Sequence, residues 1–213
     1  MIGAVALLGL TGCTDLPGGP SEPTSTATPS GNAAKQLKHL KIAEEDDHGH
    51  RYDRDDFGEP WADVDHNGCD TRNDVLARDM HGEKLDSDHC TVLSGELKDR
   101  YTGQEIDFKR GRTSSMKVQI DHVYPLHAAW LRGAWKWSDD KREHIANDET
   151  NLLAVDGPAN NDKSDATPAD WKPERHGEWC DYATRYVTVA DHYDLSISRE
   201  DKSALESMLG RCG

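Results

Sequence analysis

Large apolar side chains are scarce in this chain: it has two phenylalanines and four methionines in 213 residues, and a hydrophobic share of 35%. The N-terminal apolar run, Met1 to Leu10, falls far short of the roughly 20 residues a bilayer-crossing helix needs. Positive charge is also in short supply. Against 40 aspartates and glutamates stand 25 lysines and arginines, a formal net charge of −15. Such a chain repels a polyanion at long range, which argues against processive tracking along a nucleic acid. No zinc-finger or helix-turn-helix pattern supplies a dedicated sequence-reading module. No Cys-x-x-Cys pair is present, so a four-cysteine zinc site is poorly supported.

What is present divides the chain in three. Met1 to Leu10 ends in Leu10-Thr11-Gly12-Cys13, which resembles a lipoprotein lipobox. The run lacks the basic n-region of a signal peptide, so the true start is expected upstream. On this reading residues 1–13 are a lipoprotein-type signal segment, Cys13 carries lipid, and the protein is anchored outside the cytoplasmic membrane or secreted. Residues 14–35 are expected to form a flexible tether, because Asp15 to Asn32 is dominated by Pro, Gly, Ser and Thr and cannot bury enough surface to order itself. Residues 36–213 form the folded domain, with a short helix expected over Ala33 to Ile42 and a charged loop from Glu44 to His50.

Setting Cys13 aside leaves Cys69, Cys90, Cys180 and Cys212. An even remainder in an exported protein predicts two disulfides. Gly177 to Tyr193 reads as an amphipathic helix and Ser198 caps another that runs to Leu209. If the two pack antiparallel, Cys180 lies beside Cys212, which leaves Cys69 for Cys90. Closing that short loop contributes about 3 kcal/mol by chain entropy.

The stretch that carries chemistry runs from Ile120 to Asp165. Met116 to Val123 is a strand-like run that ends in Asp121-His122, and Pro125 stops it. Asn151 to Asp156 is a second short strand, and Gly157-Pro158 opens a helix in which Asn160 and Lys163 share one face. A strand–strand–helix unit gathers a carboxylate, an imidazole, a carboxamide and an ammonium in one region. Asp121 and Asn160 offer hard oxygen ligands suited to Mg²⁺ or Mn²⁺. His122 points the other way along the strand and is free to act as a general base.

Asp121-His122-x-x-Pro125, Asn151-Leu152 and Asn160-x-x-Lys163 together resemble the HNH, or ββα-metal (His-Me finger), nuclease motif. Their wider context resembles secreted bacterial HNH proteins related to the C-terminal domain of modification-dependent restriction enzymes. The resemblance implies an α+β fold with a ββα-metal core embedded in helices, and metal-dependent endonuclease activity on DNA, with RNA a further substrate, outside the cytoplasm. It implies that His122 is the general base, that Asp121 and Asn160 hold one divalent cation, and that Asn151 fastens the loop orienting the histidine. Asn160 is chosen over Asn161 on its spacing to Lys163. Lys163 and Arg110, the latter in the compact cluster Lys109-Arg110-Gly111-Arg112, are assigned to phosphate.

A second stretch, Trp61 to Asp74, contains Asp63-x-Asp65-x-Asn67-Gly68, the first half of an EF-hand calcium loop, with Asp74 where the last ligand belongs. The competing reading is a hydrogen-bonded Asp/Asn/Gly turn stapled by Cys69. Thr71 to Met80 then reads as a helix, and His89 to Asp99 with Gln104 to Phe108 as a hairpin. Leu126 to Trp137 and Ser138 to Ala146 look helical, with their tryptophans in the core and His127 and His144 structural or exposed. The alternative function is a non-catalytic, calcium-binding surface module on a nuclease-like scaffold.

Overall fold

The computed structural model describes residues 29–44, 49–112 and 114–212. Cys13 and the proposed signal segment lie outside the described residues, as do most of the tether and His48. The first helix, α1, spans Pro29–His39. It takes in residues 29–35, which composition had placed in the tether, because Ala33 and Leu37 are buried against the later helices.

Helix α2 (Thr71–Asp79) follows, with Asp70 as N-cap accepting from Asn73 N. Next come β1 (Met80–Leu85), β2 (Val92–Lys98) and β3 (Glu105–Lys109), paired antiparallel in that order. The β2–β3 hairpin was legible. β1 was not, because the sequence Met80 to Leu85 buries only Met80 and carries no alternating pattern.

Strand β4 (Val118–His122) leads to α3 (Leu126–Leu131), a 3₁₀ turn at Ala134–Lys136, and α4 (Asp139–Asn147), capped by Ser138. Strand β5 (Leu152–Asp156) pairs antiparallel with β4, His122 opposite Leu152 and Val118 opposite Asp156. Helix α5 (Gly157–Lys163) completes the ββα unit, with Asp156 accepting from Ala159 N and proline in the first turn. The expected helix over Leu126 to Trp137 breaks at Gly133, whose φ of 117° suits glycine.

Two helices close the chain: α6 (Trp179–Tyr193), and α7 (Arg199–Leu209), which opens with a reciprocal Ser198/Asp201 capping box. The disulfides are Cys69–Cys90 and Cys180–Cys212, the pairing expected from antiparallel α6 and α7. Among the described residues no helix is long and apolar enough to cross a membrane.

The ββα hairpin separates two cores. Val118, Ile120, Leu152 and Ala154 pack toward α2 and the three-stranded sheet. Leu153 and Val155 pack with the helices α1, α3, α6 and α7. Strand β5 is therefore buried on both faces, which is why it reads as a continuous apolar run and not as an alternation. Trp130 is buried among the helices, while Trp135 and Trp137 pack at the edge of that core.

Candidate active site

The strand ends at His122 and turns away at Pro125, opening a cavity of about 340 Å³ lined by Asp121, His122, His127 and Asn160 together with Tyr52 and Arg54. Strand alternation sends Asp121 and His122 to opposite sides of β4, and their partners differ accordingly.

Asp121 faces α5. Its Oδ1 accepts from Lys163 Nζ at 2.9 Å, and its Oδ2 accepts from the buried Tyr101 hydroxyl. The Lys163 ammonium also donates to His122 O at 3.0 Å. Lys163 is fully buried. This corrects the assignment of Lys163 to phosphate: its charge is spent inside, holding the Asp121 carboxylate and the strand's last peptide. A buried ammonium must pair, because leaving it alone there costs several kcal/mol.

His122 is oriented from behind. Its Nε2 lies 2.8 Å from Ala146 O, and a carbonyl only accepts, so the ring proton sits on Nε2 and Nδ1 keeps its lone pair. Burial first, then the nearby Arg54 guanidinium, pull its pKa down to about 4. The ring is therefore neutral, and able to take a proton, throughout the physiological range.

Asn151 is buried at the centre of the turn behind the histidine. Its Oδ1 accepts from Tyr124 N at 2.8 Å, its Nδ2 donates to Tyr124 O at 3.2 Å, and its carbonyl accepts from Val123 N at 2.8 Å. It clamps the backbone that follows His122 and is a positioning residue. Asn160, on α5, donates from Nδ2 to Gln119 Oε1 at 2.8 Å; this fixes the amide and leaves its oxygen as the ligating end.

The other phosphate candidate is elsewhere. Arg110 donates from Nε to Val92 O at 2.7 Å and from Nη2 to Asn73 Oδ1, bracing β2 to α2, and it does not line the cavity. The cation that does line it is Arg54, exposed on a 3₁₀ turn, Arg54–Phe57, which Phe57 anchors in the core. Sequence reasoning missed it because nothing local ties residue 54 to a strand end 68 positions later. It also missed His127. That ring lies tilted against Tyr52, centroids 4.9 Å apart, and its Nδ1 meets Asp165 Oδ2 at 2.6 Å in the same cavity.

The EF-hand expectation is corrected in part. Asp63 accepts from Asn67 N at 3.1 Å and from Gly68 N at 2.9 Å, and Asn67 Oδ1 accepts from Cys69 N at 2.7 Å. Those bonds form the stapled turn. Asp65 joins the same turn, its Oδ1 accepting from Asn67 N and its Oδ2 from Asn67 Nδ2, each at 3.1 Å. Asp65 and Asp74 also each bring a carboxylate oxygen close to one of Glu149.

The family described as "GmrSD restriction endonucleases, C-terminal domain" matches residues 70–207. The chain belongs to this family. It is therefore a domain of a restriction-endonuclease-type nuclease family, and the match spans α2 through most of α7. Arg54 and Tyr52 lie ahead of the matched segment. The chain is also 35% identical over 192 residues, covering 89% of this chain and 90% of the other, to a protein of Arthroderma benhamiae described as "Uncharacterized secreted protein". No solved structure matches.

Proposed function

We propose that the protein is an HNH-type endonuclease that hydrolyses phosphodiester bonds of DNA, and of RNA as a further substrate, outside the cytoplasm. The observation that carries this reading is His122, its Nε2 tied to Ala146 O so that Nδ1 is left as the acceptor, lining one cavity together with Asp121 and Asn160. The family match supports the nuclease class, and the secreted relative supports an extracellular setting. Lipid attachment at Cys13 remains a proposal from the sequence.

The donor set fits a hard divalent cation. Asp121 keeps unused lone pairs on both oxygens beyond the bonds from Lys163 and Tyr101, and Asn160 has its amide oxygen to offer. Mg²⁺ or Mn²⁺ held by these two residues would stabilise charge developing on the phosphate and the leaving oxygen. His122 Nδ1 removes a proton from the attacking water. Ala146 O and the Asn151 clamp hold the imidazole in that orientation. Arg54 takes the phosphate role first given to Lys163 and Arg110, while Lys163 holds the Asp121 carboxylate in place.

The test is plasmid cleavage by the disulfide-intact protein with Mg²⁺ or Mn²⁺, with EDTA, and as His122→Ala. Cleavage should require the metal and fall by at least about a hundredfold in the variant. A folded wild type that cleaves neither DNA nor RNA with any divalent metal would return the protein to the competing reading, a non-catalytic surface module.

A further inference from the structure

Away from the catalytic cavity, Asp65, Asp74 and Glu149 each present a carboxylate oxygen, and these oxygens lie within 4.8 Å of one another. They wall a separate cavity of about 170 Å³ shared with His144 and Asn147. Three acids alone would be an ordinary surface cluster. Asn147 makes it more than that. It is only 2% exposed, and its Nδ2 is held by Glu59 O at 3.2 Å and Glu143 O at 3.0 Å, while its Oδ1 is sealed from solvent with no hydrogen-bond partner. Glu59 belongs to the wall of a neighbouring cavity. Asn147 lines both cavities, and the end of its amide that is tied to Glu59 and Glu143 is the nitrogen, so the oxygen is the end left to offer to the acids' cavity. A buried oxygen left without a donor costs about 1–3 kcal/mol, and a cation would relieve it.

The charge balance points the same way. Arg78 reaches Glu149 Oε2 only at 3.5 Å, and its shorter bonds go to the Asp79 carboxylate and to the backbone oxygens of Glu149 and Leu152. Negative charge in this corner is undercompensated.

We propose that Asp65, Asp74, Glu149 and the Asn147 side-chain oxygen form a calcium site that joins the two halves of the domain. Four protein oxygens converging on one point suit Ca²⁺, which takes about six to eight oxygen ligands in flexible protein cages, whereas Mg²⁺ keeps several waters and is held by only one or two carboxylates. The site differs from the one the sequence suggests, since Asp63 and Asn67 serve the turn and the decisive ligands come from Asn147 and Glu149, about 75 residues on. Its position gives it a task. Ca²⁺ would pin the turn stapled by Cys69–Cys90 to the segment 147–149, which leads directly into the Asn151 clamp behind His122.

The experiment uses the full disulfide-intact chain stripped with EDTA, titrated with CaCl₂ by calorimetry and followed by thermal melting. Wild type and His122→Ala should both take up Ca²⁺, and at about a hundredfold excess over Kd their Tm should rise by about 5 °C or more. Asp74→Asn/Glu149→Gln should melt in EDTA no lower than wild type, since it loses repulsion, and should show neither heat nor shift. Asp65→Asn, on an exposed turn, should bind at least about tenfold more weakly. No heat and no shift in wild type, or a shift that survives in the double variant, overturns the proposal. Calcium uptake by a wild type that cleaves nothing would uphold it while removing the nuclease reading.

Discussion

Lys163 shows how a single side chain can be read correctly for place and wrongly for role. Its three-residue spacing from Asn160 put it on the right helix face, but only burial reveals that its ammonium belongs to Asp121. Lys163→Met should therefore destabilise the fold by about 3–5 kcal/mol, because it leaves the Asp121 carboxylate buried with the Tyr101 hydroxyl alone. Urea unfolding measures this, and an effect below about 1 kcal/mol would mean the ammonium is dispensable. His122 supplies the pH prediction. Its pKa falls from 6.5 to about 4 on folding, so between those values the unfolded chain binds a proton that the native chain refuses. Stability should rise with pH across that window and be fully present above it, by on the order of 3 kcal/mol. In EDTA, His122→Gln should lack this component, so its stability curve should be flatter than that of wild type from about pH 6.5 down to about 4.5. Parallel curves would show that the histidine titrates normally.

At the scale of elements, the ββα unit was legible because each boundary carries a local signal. Pro125 ends one strand, Asp156 caps the helix, and Gly157-Pro158 begins it. Gly157 does more than turn the chain. Its N–H donates to Lys117 O at 2.9 Å, and an added Cβ would stand 2.2 Å from Met116 O. That atom is backbone and cannot swing aside. Gly157→Ala should push α5, and with it Asn160 and Lys163, away from β4, costing about 1–3 kcal/mol and lowering metal-dependent cleavage more than Ala substitution at the open Gly177. Equal activity of the two variants would count against the tight α5–β4 approach. Strand β1 escaped sequence reading because five of its six residues are exposed, so no apolar alternation marks it.

For the whole molecule, α6 and α7 form an antiparallel pair bound by Cys180–Cys212, a separation of 32 residues. The chain-entropy estimate for a loop of that length is about 4 kcal/mol. Cys180→Ser/Cys212→Ser should lower stability by about that amount in urea while leaving the ββα hairpin, which has its own core contacts on both faces, in place. A loss below about 1 kcal/mol would mean that the helical packing alone holds the termini. The net charge of −15 also acts at this scale. It opposes a polyanion's approach at a distance, so the proposed activity would leave close-range binding to Arg54 and a bound cation.

The sequence by itself determined whatever is written in neighbouring residues: the Asp121-His122 strand end, the Gly157-Pro158 start of α5, the Ser198/Asp201 box and the even cysteine set, while the place of Asn151 came from the family resemblance. Local chemistry fixes such features, since caps, turns and strand stops depend on a few adjacent side chains. The tertiary structure decided what lies across the fold. It brought Arg54 and the His127–Asp165 pair to the cavity, buried Lys163, moved Arg110 to a brace, and set Asn147 and Glu149 against Asp65 and Asp74. The physical reason is the same each time. Which groups share a cavity, and which charges are shut away from water, depends on how distant elements pack, and local residue patterns do not record that packing.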